Sequence, residues 1–532
     1  MAHTPLFQTF VRLLQEARRA NLKAEGKRPP LPPTFLSRRR FMRSLTLASG
    51  AAVTAALPRV HAAWGQSAAP KIAIIGGGIA GLNAAYHLKR AGFKATVYEA
   101  RARLGGRIHS VTGALAPGLV SDLGGSLINT DHADILALVK TFKLQLFNRR
   151  FHAQHLPFPS TAYFFDQSIR SEAQIAEALR PLARQIGKDA ALLDRNYDQY
   201  APQFDLLSVA QYLTQHADKI PKPFIRELIE NTIRTEYGVE PENSSALQLL
   251  FLLPTVKGQA VDVLSYSDEV YSVQGGSGKI IEGLVHTLPG QIQTRMRLTQ
   301  LHTTSEGFKL VFANGKIVRA DYVVLAMPFT LLRQVKLAVD LPSGLRQFIE
   351  QGNLGFNDKL FAGFSRKIWL QKQGFSQDIW TDLGFAEAWD DSQRQTQRPD
   401  GALNFYLGGD QVQALDSDPL ATVGHAFVKQ LNRAIPGAKA AATGKFLRTQ
   451  WSKDSFSQGA YATFAPGQLT AFSPFFYVES KNPSERQDVH VGNLVFAGEQ
   501  VSDAYYGFMN GGAQTGRLAA RVIVRLIRSS KR

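Results

Sequence analysis

The 532-residue chain contains no cysteine. That absence excludes disulfides, thiolate zinc sites, a cysteine nucleophile and any thioether link between polypeptide and cofactor. Long apolar runs are missing too. The run from Ser44 to Pro58 is uncharged but only 15 residues long, whereas about 20 are needed to cross a hydrocarbon core of roughly 30 Å, so no stable membrane span is expected. Metal-ligand spacing is also lacking. The 12 histidines are scattered, no His-Glu-x-x-His occurs, and His152-Ala-Gln-His155 is read as a polar loop, so no metal site is expected.

The short apolar run follows Ser37-Arg38-Arg39-Arg40-Phe41 and leads to Val60-His61-Ala62. Basic residues, an apolar stretch of this length and small residues at the end make a signal peptide, with cleavage expected after Ala62. The Ser-Arg-Arg-x-Phe pattern resembles a twin-arginine address, which is read by a translocase for folded cargo. The expectation is a periplasmic or secreted protein whose first partner is that twin-arginine translocase, with residues 1–62 as signal and extended n-region. Removing them lowers the net charge from +18 to about +9, too little on such a length to argue for a nucleic-acid partner. The remaining composition, 44% hydrophobic and 10% aromatic, is that of a globular protein of two or three domains.

The clearest chemistry begins at Lys71, in "KIAIIGGGIAGLNAAYHLKRAGFKATVYEA". Ile72 to Ile75 read as a buried parallel strand, Ile79 onward as an amphipathic helix stopped near Gly92, and Lys94 to Glu99 as a second strand. Gly76, Gly78 and Gly81 hold the G-x-G-x-x-G positions: a tight turn, backbone approach to a pyrophosphate, and close helix–strand packing. Glu99 lies eighteen residues past Gly81, placed to accept from the hydroxyls of an adenosine ribose. Together these predict a dinucleotide-binding βαβ unit.

Just downstream, "ARLGGRI" carries Arg103, Gly105, Gly106 and Arg107. With this segment the chain resembles the flavin-containing amine oxidase family, which includes monoamine, polyamine and L-amino acid oxidases. The resemblance implies non-covalent FAD, because Ala460 stands where monoamine oxidases carry the flavin-linked cysteine. It also implies that the arginines neutralise pyrophosphate charge, and it extends the cofactor contacts to Arg101, Gly124, Gly125, Ser126, Leu301 and Trp451. Near the other end, "NLVFAGEQVSDAYYGFMNGGAQTGRLAARVI" resembles the family's second cofactor contact, with Gly498 as a turn, Glu499 toward the ribityl or phosphate region and Met509 toward the flavin pyrimidine. Asn510 replaces a family-like glutamate.

The resemblance spans residues 71 to 525 and implies an α/β architecture. In it, a Rossmann-like FAD domain is built from residues 71–128, 268–333 and 455–528, and an α+β substrate domain from residues 129–267 and 334–454. It places Lys359 near flavin N5, as an electrostatic aid to oxygen reduction, and Tyr461 with Phe508 as the aromatic pair facing the flavin. Leu127 occupies the position where snake-venom-type L-amino acid oxidases present a carboxylate-binding arginine, which tilts the expectation toward amines. An L-amino acid oxidase, a flavin-binding protein without catalysis and a polyene desaturase stand as alternatives, and the oligomeric state is left open between monomer and homodimer.

Overall fold

A computed structural model describes residues 69–264 and 267–530. The twin-arginine pattern and the expected cleavage position lie outside the described residues. Ile72–Ile75 is buried at all four positions, as a strand with neighbours on both edges and helices on its faces must be. It sits inside a six-stranded sheet ordered Ile292–Gln293, Ala95–Tyr98, Ile72–Ile75, Tyr322–Leu325, Leu494–Phe496 and His490–Val491. Every pairing in it is parallel except the last. The sheet therefore draws on three stretches that are hundreds of residues apart.

The first and last helices of this unit, Ile79–Arg90 and Met509–Ser529, pack directly on each other. Small residues make that approach possible. A Cβ on Gly516 would lie 2.2 Å from the Ala80 carbonyl oxygen; within the first unit itself, a Cβ on Gly81 would lie 2.0 Å from the Gly76 oxygen, so the helix sits close on its own strand. The Asn83 amide locks the pair by donating to the Ala513 carbonyl at 2.7 Å.

A second, seven-stranded sheet runs Ala442–Arg448, Asn357–Phe364, Gly401–Gly408, Glu387–Asp390, Asp378–Thr381, Thr161–Phe165 and Ser168–Arg170. Its central strands Asn357–Phe364 and Gly401–Gly408 are buried along their whole length, and the alternation of side chains divides them into two faces. Leu360, Ala362, Leu403, Phe405 and Ala388 join the apolar cluster of helix Leu420–Ala434 through Val423, Phe427 and Leu431. The opposite face carries Lys359, Tyr406 and Glu387, which are cross-strand neighbours in one row. Helices Glu172–Arg195, Pro223–Tyr237 and Ala246–Leu252 belong to the larger core, which is continuous with the six-stranded sheet. Among the described residues no helix is long and apolar enough to cross a membrane.

Gly516→Val should force the two helices apart and destabilise the protein by at least about 2 kcal/mol, the usual scale for overpacking at a buried contact. A thermal melt against the parent protein measures this, and an unchanged midpoint would show that the helix contact is not structurally limiting.

Candidate active site and cofactor cradle

A cavity of about 420 Å³ lies between the two sheets. At one end it is lined by Gly76, Gly78, Glu99, Arg101, Gly105, Gly106 and Arg107, and at the other by Lys359, Tyr406, Glu387 and Tyr461. Two helix N-termini open on it. Neither Ile79–Arg90, entered at Gly78, nor Met509–Ser529, entered at Phe508, has a side-chain cap or an acidic residue in its first turn. The unpaired N–H groups at such ends carry partial positive charge and suit a ligand that is anionic at two separate points.

Glu99 is fixed at the edge of this cradle. Its carboxylate accepts from the Gly77 N–H at 2.6 Å and from the Arg101 N–H at 2.7 Å, which leaves lone pairs for ribose hydroxyls. A Cβ on Gly78 would meet no protein atom within 4 Å. An acid for a ribose, a glycine-opened helix start and a second helix start farther along fit a flavin dinucleotide, and the donors present suit no metal. Among the described residues no group of three His, Cys, Asp or Glu could hold a metal ion.

The other expected cofactor residues occupy distinct places. Gly124, Gly125, Ser126, Trp451, Gly498, Glu499 and Met509 line the cavity. Gly125 lies against the Met509 side chain, where a Cβ would come within 2.5 Å of its Cγ, and Trp451 donates through Nε1 to the Leu123 carbonyl at 3.2 Å. Glu499 is the centre of a clamp: it pairs with Arg107 at 2.9 Å and accepts from the Gly507 N–H at 2.7 Å. Gly81 packs the first helix on its strand and stays outside the cavity lining.

Two residues depart from expectation. Leu301 does not reach the cavity; it is fully buried in strand Leu298–Thr304 of a separate four-stranded sheet. Arg103 does not face the cavity either, because its guanidinium turns back to the Gly106 carbonyl at 2.8 Å and braces the glycine loop. Arg101 lines the cavity, but its guanidinium is engaged by Asp454 and Ser457. A half-buried guanidinium with five donors takes the nearest carboxylates and carbonyls, so these arginines shape the cradle from behind. Asn510 serves as a cap. Its Oδ1 accepts from the Asp134 and Ile135 N–H groups at 3.0 and 3.1 Å, at the start of helix Ala133–Thr141.

At the far end, Lys359 donates from Nζ to the Gly124 carbonyl at 2.8 Å, the Asp122 carbonyl at 3.1 Å and the Ser126 hydroxyl at 3.2 Å. Nζ also stands 5.2 Å over the Trp389 ring. Burial lowers its pKa to about 8, against opposing pulls from Asp391 and Asp122. Tyr461 donates to the Thr235 carbonyl at 3.0 Å and its hydroxyl meets that of Tyr406. Phe508 lies edge-on to His132, 5.1 Å between ring centroids, and lines the same cavity.

Residues that no sequence motif singled out complete this wall: Tyr406, Trp389, Glu236, Glu269 and Glu387. Burial raises the pKa of Glu269 to about 7, opposed by Arg149, and burial with Asp378 nearby raises Glu387 well above the ordinary carboxylate range. Burial likewise pushes the Tyr406 and Tyr461 phenols up, so both remain neutral. The available signal was the period-two pattern of Glu387 and Trp389, but it names no partner strand.

A parallel nucleotide-binding sheet, two open helix starts and a distal wall of lysine and tyrosines define a flavin-dependent oxidoreductase. Residues 79–524 match the family described as flavin containing amine oxidoreductase, and the chain belongs to that family, whose cofactor is FAD. The chain is similar to the flavin-containing amine oxidase A of Sus scrofa, with 24% identity over 474 residues, covering 85% of this chain and 84% of that protein. It is equally similar to polyamine oxidase 2 of Arabidopsis thaliana, with 24% identity over 490 residues, covering 86% and 88%. Its fold resembles putrescine oxidase bound to putrescine, with a TM-score of 0.71 at 20% identity and coverage of 86% and 99%. It also resembles cyclohexylamine oxidase from Brevibacterium oxydans, with a TM-score of 0.69 at 20% identity and coverage of 87% and 100%.

Gly78→Val separates cradle from scaffold. The backbone there, φ −77° and ψ 179°, accepts any residue, so the thermal midpoint of the apoprotein should stay within about 2 °C while FAD retained on purification falls at least about tenfold. Undiminished flavin absorbance at 450 nm would move the pyrophosphate site elsewhere.

Proposed function

We propose that this chain is an FAD-dependent oxidase of amines that lack a carboxylate, using oxygen as electron acceptor and releasing hydrogen peroxide. The observation that carries the reading is the charge of the distal chamber. Glu236, Glu269 and Glu387 line it beside Tyr406 and Tyr461, whereas the arginines lining the cavity, Arg101, Arg107 and Arg297, belong to the nucleotide end. Leu127 also lines the cavity, at the position where an amino-acid oxidase would present its arginine. Arg149 stays behind the wall, donating to Gln393 and to the Glu269 carbonyl. Because burial raises the pKa of Glu269 and Glu387, an ammonium entering this chamber draws them toward their ionised forms, while a carboxylate finds no arginine there and must be desolvated.

When bound, the flavin supplies two-electron chemistry: it takes a hydride from the carbon bearing nitrogen, and its two electrons pass to oxygen, which gains two protons to become hydrogen peroxide. The protein's part is orientation and charge. The rings of Tyr461 and Phe508 confine the amine so that its α C–H can come within about 3 to 3.5 Å of the acceptor atom. The hydrogen bond from Tyr461 to Thr235 fixes one of those rings. An ionised glutamate can take the proton of the incoming ammonium and leave a neutral nitrogen lone pair beside the breaking C–H bond. Water then hydrolyses the released imine to a carbonyl compound and ammonia or a smaller amine. The Lys359 ammonium supports negative charge developing on oxygen.

Attachment of FAD is non-covalent on this reading, since Ala460 offers no thiol and the chain has no cysteine. Export of a folded, FAD-loaded protein through the twin-arginine route is the matching cellular proposal, and it rests on the Ser37 to Phe41 pattern alone.

Matched substrates test the assignment. In a peroxide assay, phenylethylamine should exceed phenylalanine, and cadaverine should exceed lysine, by more than about a hundredfold in kcat/KM, the ratio equivalent to roughly 3 kcal/mol of carboxylate desolvation. Amino acids turned over faster than their amines would overturn the reading in favour of an L-amino acid oxidase.

A further inference from the structure

Of the three glutamates that line the distal chamber, Glu269 alone stands on irregular backbone. Glu236 and Glu387 project from helix Pro223–Tyr237 and strand Glu387–Asp390, where regular hydrogen bonding sets their direction. Glu269 lies two residues before strand Tyr271–Val273 and has a φ of 43°. That left-handed region is unfavourable for any residue with a Cβ, and it persists only where the surroundings hold it.

The surroundings do hold it. The Glu269 N–H donates to Asn129 Oδ1 at 3.0 Å, and its carbonyl accepts from Arg149 Nη1 at 3.3 Å. Both of those side chains are buried. On one side, Asp268 is tied away from the cavity: its carboxylate accepts from the Thr130 hydroxyl at 2.6 Å and the Thr130 N–H at 2.9 Å, and its carbonyl accepts from the Arg150 guanidinium at 3.0 Å. On the other, Val270 is buried, and its carbonyl accepts from the Arg149 N–H at 2.8 Å. The middle residue is the one that lines the cavity. Among the described residues no hydrogen bond or ion pair engages the Glu269 carboxylate. A backbone clamp that aims a carboxylate at a cavity, with no protein group bound to that carboxylate, is the arrangement of a ligand-binding residue.

We propose that Glu269 is the carboxylate that receives the substrate's ammonium, a specificity-determining residue held toward the chamber by Asn129 and Arg149. The inference rests on the amine reading and assigns its cation site to one side chain. The charged groups that face Glu269 are Arg149, Asp378, Asp268 and Lys359, with Glu387 in the same chamber, while Tyr406 and Tyr461 stay neutral. Burial raises the pKa of Glu269 to about 7, against the pull of Arg149. Its carboxylate is therefore ionised above that pH and protonated below it, so a bound cation is favoured as the pH rises through this value.

Two probes that cannot be oxidised to an imine separate charge from shape: benzyltrimethylammonium, a cation at every pH, and benzyl alcohol, which is neutral. Each is titrated into oxidised, FAD-loaded protein, and binding is read from the perturbation of flavin absorbance. The cation should bind at least about fivefold more tightly at pH 8 than at pH 6, while benzyl alcohol should change less than about twofold. Glu269→Gln keeps the shape and removes the charge. It should weaken the cation at pH 8 at least about tenfold, leave benzyl alcohol within about twofold, and reduce the pH dependence to at most about twofold, the part owed to Lys359, which titrates at about 8. Glu269→Gly should lose the cation to the same extent and melt within about 2 °C of the parent, since glycine accepts the left-handed backbone. Cation affinity retained in either variant, or equal weakening of both probes by Glu269→Gln, would overturn the proposal. Should no amine reduce the flavin while Glu269→Gln still loses the cation, the oxidase reading falls and this assignment stands; amine oxidation with unaltered cation binding in Glu269→Gln is the reverse result.

Discussion

The contact on which the structure depends is the approach of the first helix to the last. Gly516 beneath Ala80 and the Asn83 side chain bonded to the Ala513 carbonyl bring residues more than 400 positions apart into one layer. That approach sets two helix N-termini on one cavity, and it places strand Leu494–Phe496 beside Tyr322–Leu325 in the sheet. A glycine is required where backbone meets backbone at these distances, since any Cβ would occupy the space of a carbonyl oxygen. The cradle for the cofactor is thus a consequence of how closely the ends of the chain pack.

The opposite wall obeys a different constraint. A buried strand has two faces, and here one is apolar against helix Leu420–Ala434 while the other carries Lys359, Tyr406 and Glu387. Burying charge is costly unless it is compensated. The compensation is distributed: Asp122 with Arg394, and Arg149 behind Glu269 and Asp378. Because Glu269 and Glu387 are desolvated more completely than they are compensated, their proton affinity is raised, and a cationic guest would favour their ionised forms.

The cradle was legible in the sequence because its signals are local. Gly76, Gly78, Gly81 and Glu99 lie within one strand–helix–strand unit, and each residue type has a single physical use there. Lys359, Tyr461 and Phe508 were found by resemblance and meet the cavity as a group. The acidic wall was not legible, because Glu236, Glu269 and Glu387 sit on separate elements whose register no local pattern specifies. Arg103 and Leu301 were misplaced for the same reason. A motif names a residue, but whether its side chain turns to the ligand or to the Gly106 carbonyl, or joins another sheet, depends on tertiary packing. Asn510 illustrates the converse, a substitution at a family-like position that became a helix cap for a distant segment.

The most direct measurement is an anaerobic titration of the purified yellow protein followed at 450 nm. A primary amine or diamine should bleach the flavin stoichiometrically, and admitting air should restore the oxidised spectrum with one equivalent of hydrogen peroxide. A protein that holds FAD yet is bleached by no amine would contradict the assignment of the acidic chamber as an amine site.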